Sequence, residues 1–149
     1  MGKTDSTGRK KGYFITIEGP EGAGKSSCAA VLVNFFESHG MPVICTREPG
    51  GTPLAEKLRE VVKNKPDADE IIHPETELLL MEAARAQHVR EKILPALDQG
   101  ISVICDRFSD STSAYQGGGR SMDMANISAL NNFASGNCTP DLTILLDLP

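Results

Sequence analysis

The stretch GPEGAGKS at residues 19–26 follows directly on the apolar run FITIE. Its spacing, Gly-x-x-x-x-Gly-Lys-Ser, is typical of a phosphate-binding loop between a strand and a helix. The glycines let backbone N–H groups turn towards phosphate oxygens, and the N-terminus of the following helix adds a partial positive charge. The alternative, a glycine turn that binds nothing, is disfavoured by this strand-then-helix context. The stretch therefore predicts a site for ATP phosphates, formed by Gly19, Pro20, Glu21, Gly22, Ala23, Gly24, Lys25 and Ser26.

Three side chains of this loop suggest separate roles. We expect Lys25 to reach the β- and γ-phosphates of a nucleoside triphosphate and the Ser26 hydroxyl to ligate Mg²⁺. Glu21 is unusual, because a carboxylate inside a phosphate cradle repels its ligand. It is predicted either to face a hydroxyl or amine of a second ligand or to be an ordinary solvated acid.

The rest of the chain alternates β-branched runs with stretches of helical spacing. The predicted strands are 13–18, 42–46, 101–106 and 142–147, and the predicted helices are 25–39, 53–63, 75–98 and 123–135. This alternation predicts an α/β fold with a four-stranded parallel sheet and helices on both faces. Residues 1–12 are interpreted as a flexible N-terminal arm, and residues 13–149 as one domain.

Composition limits the classes of partner. The 149 residues carry a net charge of −5, which argues against nucleic acid and membrane surfaces, since both attract cationic proteins. No apolar run approaches the roughly 18 residues that span a bilayer. The four cysteines are spread without a CxxC pair, which predicts free thiols in a reducing cytoplasm and no disulfide framework.

Charged residues at the predicted strand ends indicate a second site. Arg47 and Arg107 follow strand C-termini, where open α/β sheets bind ligands, and they can hold a second phosphate. Asp106 ends a strand and is predicted to organise Mg²⁺ through water, with pairing to Arg107 as the alternative. Met81 and Arg85 lie four residues apart on one helix face, where they suit a nucleobase, although Met81 can equally be core filler.

In order along the chain, the segments FITIEGPEGAGKS, TREPGGTPLAEKLR, TELLLMEAARAQHV, DRFSDSTSAYQGGGR and PDLTILLDLP resemble bacterial thymidylate kinase. The resemblance covers nearly all of residues 13–149. It implies a three-layer P-loop NTP hydrolase or NMP-kinase-like fold, transfer of the ATP γ-phosphate to dTMP in the presence of Mg²⁺, and a homodimer in the cytoplasm. It implies no nucleic-acid or membrane partner.

The resemblance also implies individual roles. Lys25, Arg107 and Asp106 correspond to catalytic residues, and Glu21 to a carboxylate near the sugar 3′-hydroxyl of dTMP. Further dTMP contacts are implied for a larger set, namely Arg47, Glu48, Pro49, Met81, Arg85, Thr112, Tyr115 and Gln116.

The sequence departs from the family pattern in ways that keep two alternatives open. Met81 stands where a base-stacking aromatic is usual, which allows a kinase for another nucleoside monophosphate. Gly22 stands where one subclass carries a catalytic arginine, while the other subclass supplies it from a lid beyond LDLP. The domain is therefore expected to be incomplete at its C-terminus, and a catalytically silent nucleotide-binding module is the second alternative.

Overall fold

Short apolar runs form the strands of this chain, and the stretches between them form helices. The structure is a computed structural model that describes residues 2–64, 67, 69–113, 117 and 121–147. The strands are β1 (Lys3–Thr4), β2 (Lys10–Lys11), β3 (Phe14–Glu18), β4 (Val43–Arg47), β5 (Ser102–Asp106) and β6 (Leu142–Leu145). The α-helices are α1 (Lys25–Ser38), α2 (Pro53–Lys63), α3 (Pro74–His88), α4 (Leu94–Asp98), α5 (Ser109–Thr112) and α6 (Met124–Ser135).

Strands β3 to β6 form one sheet in the order β4-β5-β3-β6, with every neighbouring pair parallel. The predicted α/β fold with four parallel strands is therefore confirmed. Asp106 is the register partner of both Ile17 and Arg47, and Glu18 is the partner of Leu145. Since all four strands run the same way, their carboxyl ends meet at one edge of the sheet.

The two central strands, β3 and β5, are buried on both faces, whereas the outer strands β4 and β6 are partly exposed. Alternate residues of β3 and β5 point to opposite faces, so each strand contributes to two cores. One core lies under α4 and the helical turn just before it and contains Phe14, Val89, Ile93, Ala96, Leu97, Val103, Cys105 and Phe108. The other lies under α1 and contains Ile15, Ile17, Phe36 and Ile104. These cores hold the loops at the sheet edge in fixed positions.

The predicted helix 75–98 is continuous but changes type within its length. Between α3 and α4 the segment Val89–Ile93 is a π-helix. Pro95 follows it; a proline has no N–H to donate to the residue four positions earlier, and its ring crowds that carbonyl. A widened turn before proline accommodates both effects. Within the described ranges, no helix is long and apolar enough to cross a membrane.

Residues 3–11, within the segment interpreted as a flexible N-terminal arm, contain two short strands and a turn. Strands β1 and β2 pair as an antiparallel hairpin. The Asp5 side chain accepts hydrogen bonds from the backbone N–H groups of Thr7 (2.8 Å) and Arg9 (3.0 Å), which closes the turn. The Lys3 ammonium lies 2.7 Å from the Asp141 carboxylate and ties the hairpin to the domain. The stretch DSTG thus forms an Asx-type turn between the two strands.

Candidate active site

The glycine-rich loop connects β3 to α1, and α1 begins at Lys25 as the motif predicts. Gly24 has a φ of 95°, a left-handed conformation that glycine adopts without strain. The Lys25 ammonium donates hydrogen bonds to the carbonyl oxygens of Gly19 (3.0 Å) and Pro20 (2.9 Å). Among the described residues, the backbone N–H groups of Glu21, Gly22 and Gly24 have no hydrogen-bond partner. The loop thus presents the free amides and the cation that an anionic ligand requires.

A cleft of about 870 Å³ lies beside the loop, between α1, the end of β4 and the start of α2. Lys25, Ser26, Arg47 and Asp106 all line it. The structure therefore brings together predicted site residues from three separate parts of the sequence. Pro20, Glu21, Gly22, Gly24 and Ser26 are exposed to solvent beside this cleft, while Gly19, Ala23 and Lys25 are half-buried.

Asp106 has a buried carboxylate oxygen, Oδ1, for which the described residues supply no hydrogen-bond partner. A buried acceptor without a protein partner is satisfied in folded proteins by a water molecule or an ion. Oxygen atoms from Asp106 and Ser26 are the hard ligands that Mg²⁺ prefers, so the residues fit the predicted metal. The described part of the chain holds no group of three or more His, Cys, Asp or Glu residues that could bind a metal, so phosphate oxygens and water would complete the coordination.

Arg47 is exposed on the wall of the cleft and pairs with Glu56 of α2. Its Nη2 lies 2.9 Å from Glu56 Oε2, and Glu56 Oε1 accepts a hydrogen bond from the Gly51 N–H at 2.9 Å. The hydrogen bond from Arg47, followed by that from Gly51, lowers the pKa of Glu56 to about 2. Arg47 is therefore held towards α2 and keeps an ionised partner across the neutral pH range.

The turn after β5 carries Arg107 in an unusual backbone conformation, with a φ of 69°. Its N–H donates to the Ile17 carbonyl at 2.9 Å, and the Phe108 N–H donates to Glu18 Oε1 at 2.8 Å. The Ser111 hydroxyl donates to the other oxygen of Glu18. Burial raises the pKa of the Glu18 carboxyl above its ordinary value, against these hydrogen bonds. Glu18, which directly precedes the phosphate loop, thus fixes the turn that presents Arg107.

Lys25 and Arg107 line neighbouring cavities. Arg107 borders a second cavity of about 510 Å³, which Gly19 and Pro20 also line. The Lys25 ammonium bonds to the carbonyls of these same two residues. The two cations therefore lie on neighbouring sides of the first residues of the loop, at the carboxyl edge of the sheet.

Arg85 is buried at the centre of a polar network, with only 2% of its side chain exposed. Its Nε donates to Glu48 Oε1 at 2.7 Å, and its Nη2 donates to Thr112 Oγ1 at 2.8 Å. Its Nη1 donates to Glu82 Oε1 at 3.1 Å and to Asn131 Oδ1 at 2.8 Å. Three helices and the loop after β4 therefore converge on one guanidinium group.

Glu82 is the incompletely paired member of this network. Its Oε2 is buried and has no hydrogen-bond partner among the described residues. Burial, opposed by the charge of Arg85, raises the pKa of Glu82 to about 6. The network therefore contains a carboxyl group that takes up a proton near neutral pH.

A small cavity of about 20 Å³ adjoins the network. The predicted acceptor-site residues among its lining are Glu48, Pro49, Met81, Arg85, Arg107 and Thr112. Met81 and Arg85 line the same cavity, as their spacing on α3 predicts, and Met81 is half-buried. Tyr115 and Gln116 lie outside the described residues.

Sequence reasoning missed several residues that organise the site. Glu18 was included in an apolar strand, although an acid at the end of the run FITIE is a signal in itself. His88 lies three residues after Arg85 and so on the same helix face. Asn131 gives no local signal, because it lies 46 residues from its partner Arg85.

Comparisons with known proteins give a consistent result. The family model for thymidylate kinase matches residues 17–149. A thymidylate kinase from Pseudomonas fluorescens (strain Pf0-1) is 56% identical over 138 residues, which are 93% of this chain and 65% of that protein. One from Pseudomonas putida (strain F1) is 54% identical over 138 residues, with the same coverage. This chain thus spans about 65% of the length of these curated relatives.

A solved structure agrees with these matches. The crystal structure of thymidylate kinase from Ehrlichia chaffeensis superposes with a TM-score of 0.84 at 38% sequence identity. The match covers 93% of this chain and 78% of that one.

Proposed function

Because the chain belongs to the thymidylate kinase family, we propose that it transfers the γ-phosphate of ATP to dTMP, giving ADP and dTDP. One observation carries the proposal: the phosphate loop, Asp106 and Arg107 share one sheet edge with the cavity that Met81 and Arg85 line. A donor and an acceptor for phosphoryl transfer must meet at such a common edge.

The donor side of the proposal rests on the loop. The backbone amides of Glu21, Gly22 and Gly24, which have no partner among the described residues, suit the phosphate oxygens of ATP. The Lys25 ammonium would exchange its two carbonyl partners for the β- and γ-phosphates. Mg²⁺, held through Ser26 and through water on Asp106, neutralises phosphate charge when bound.

The acceptor side rests on the cavity next to Arg85. We assign the thymine base to Arg85 and Met81, with Pro49, Thr112, Tyr115 and Gln116 around base and sugar. Glu21 suits the sugar 3′-hydroxyl, because a carboxylate accepts a hydrogen bond from a hydroxyl group. Arg47 and Arg107, with the backbone of Glu48, are the candidates for the region of the dTMP phosphate.

Catalysis would depend on position and charge, with no covalent intermediate. Arg107 and Lys25 would stabilise the negative charge on the transferring phosphoryl group. The cavity beside Arg85 is far smaller than the roughly 300 Å³ that a nucleotide site needs. The cavity of about 510 Å³ is lined by Arg107 and Ser111, as is this small cavity, so it offers the additional space that dTMP needs.

The cellular setting follows from the same proposal. Its four free thiols suit the reducing cytoplasm, where ATP is available. A homodimer is the expected assembly by family likeness.

A coupled ADP-release assay tests the substrate. With ATP and Mg²⁺, dTMP should be turned over well above dUMP, dGMP and UMP, each at matched concentration. Faster turnover of another acceptor would assign the chain to a different nucleoside monophosphate. ADP release in the absence of any acceptor would indicate an ATPase instead.

A further inference from the structure

His88, the last residue of α3, lies between Thr46 of β4 and Glu48 of the loop after β4, and it has no exposed surface. Its Nδ1 lies 2.7 Å from Glu48 Oε2, and its Nε2 lies 2.7 Å from Thr46 Oγ1. The Glu48 carboxylate accepts, so Nδ1 carries the hydrogen that it donates. In the neutral ring Nε2 then accepts from the Thr46 hydroxyl. Both ring nitrogens are therefore used, and the direction of the hydrogen bond to Glu48 is defined.

The Glu48 carboxylate has both oxygens engaged by protein partners. Oε2 accepts from His88, and Oε1 accepts from Arg85 Nε at 2.7 Å. Glu48 is itself 4% exposed. Its carboxylate acts as a link between the two side chains, so the orientation of the Arg85 guanidinium depends on how His88 holds Glu48.

The network uses most, but not all, of the hydrogen-bond donors of the Arg85 guanidinium. A guanidinium has five N–H groups. The hydrogen bonds to Glu48, Glu82, Asn131 and Thr112 use four of them. Within the described residues the fifth, on Nη2, has no partner, and Arg85 lines the small cavity. One N–H group is thus left for a ligand.

His88 also limits the path of the loop after β4. Gly51 has a φ of 94°, and a Cβ atom there would collide with the His88 ring and the Thr46 hydroxyl. An apolar side chain of similar size could fill this volume. It could not donate a hydrogen bond to Glu48, and it would leave a buried carboxylate oxygen unpaired, which costs far more than lost packing.

We propose that His88 is a positioning residue for the acceptor nucleotide: through Glu48 it orients Arg85, so that one N–H of that guanidinium faces the base. This role rests on the proposed function, because it assigns the cavity beside Arg85 to dTMP. His88 does not touch the ligand.

Two substitutions of His88 test the roles of its two ring nitrogens separately. In His88→Asn the amide nitrogen stands near the position of Nδ1 and can still donate to Glu48. In His88→Gln it stands near the position of Nε2 and cannot. Thr46→Val removes the other hydrogen bond of the ring and serves as the matched control.

Calorimetric binding of dTMP is the first readout. We expect His88→Gln to weaken dTMP binding about tenfold, the scale of one charge-assisted hydrogen bond. His88→Asn and Thr46→Val should stay within about threefold of the native affinity, and ATP affinity should not change in any variant. Urea denaturation of each variant shows that the compared proteins are folded.

Hydrogen exchange of the Arg85 Nε–H, followed by NMR without ligand, is the second readout. Exchange should be slow in the native chain and in His88→Asn, and at least about tenfold faster in His88→Gln. Native affinity and slow exchange in His88→Gln would overturn the proposal, as would equal losses in His88→Asn. If the native chain binds no dTMP, the proposed function fails, and the exchange comparison then tests only whether His88 orients Arg85 through Glu48.

Discussion

The phosphate loop and the network around Arg85 lie at the same sheet edge, but one is formed mainly by exposed backbone groups and the other by buried side chains. The loop uses exposed backbone amides and a single lysine, whose partners are carbonyls of the same loop. The network uses buried side chains, with Arg85, Glu48 and His88 each less than 5% exposed. The loop should therefore tolerate substitution structurally while losing activity, whereas the network should lose stability first.

The largest expected effect is on the network. Arg85→Met leaves the Glu48 carboxylate buried without its cation and should lower the free energy of unfolding by about 3–5 kcal/mol. Arg47→Met is the matched control, because Arg47 pairs with Glu56 in solvent and should lose no more than about 1 kcal/mol. Urea denaturation measures both, and similar losses in the two variants would contradict the contrast between buried and exposed pairs.

Lys25→Ala, in the phosphate loop, should show the opposite pattern, namely a large loss of turnover with little loss of stability. Turnover should fall by about 10²-fold or more, the scale of losing one preorganised charge contact. The free energy of unfolding should change by less than about 0.5 kcal/mol. Lys57→Ala, at an exposed position of α2, controls for loss of a positive charge. Unchanged turnover in Lys25→Ala would remove this residue from the mechanism.

Gly22 and Gly51 test the same contrast between loop and network through the space that each leaves for a side chain. Gly22 (φ 78°) and Gly51 (φ 94°) are both left-handed, but a Cβ at Gly22 meets nothing within 4 Å, whereas one at Gly51 meets the His88 ring. Gly22→Ala should therefore show only the backbone cost of about 1 kcal/mol. Gly51→Ala should show that cost plus about 1–3 kcal/mol of overpacking. Equal losses by chemical denaturation would mean that the loop at Gly51 can move away freely.

The smallest effect concerns pH. Because the pKa of Glu82 is raised to about 6 from an ordinary 4.5, the folded chain binds the extra proton between these values. The protonated Glu82 carboxyl therefore makes its full contribution to stability below about pH 4.5, and this contribution is lost as pH rises through 6. Glu82→Gln should remove this loss and stabilise the chain at pH 7.5 by about 1–2 kcal/mol relative to the native protein. Thermal unfolding at pH 5 and 7.5 measures it.

Glu56→Gln is the control with the opposite sign. The pKa of Glu56 is lowered to about 2, so its contribution is present above about pH 4.5 and is lost as pH falls towards 2. The side chain is 37% exposed, which screens the pair and keeps the effect below about 1 kcal/mol. If Glu82→Gln lost stability at pH 7.5, or if Glu56→Gln gained stability at that pH, the assignment to burial would be wrong.

The parts of the fold that sequence predicts well are those set by local pattern. The strand before residue 19, the start of α1 at Lys25 and the parallel sheet all follow from periodicity and from one motif. The hairpin at residues 3–11 also pairs with Asp98 and Asp141, and local pattern does not predict contacts so far along the chain.

The network shows where such reasoning stops. Arg85 was identified by its likeness to a family and by its position on a helix face, but its partners Glu48 and Asn131 lie 37 and 46 residues away. No periodicity relates these positions. Pairing of buried charges depends on how helices dock, which is a property of the whole packed chain.

The left-handed backbone of Arg107 sets stability against activity at one position. A residue with a Cβ adopts this conformation at a cost of about 1–3 kcal/mol, which glycine avoids. Glycine in place of Arg107 would thus relax the turn while removing the guanidinium proposed for the transferred phosphate. Selection for thermal stability alone would therefore favour glycine at this position and give an inactive protein. Selection for turnover would retain Arg107 in its strained conformation.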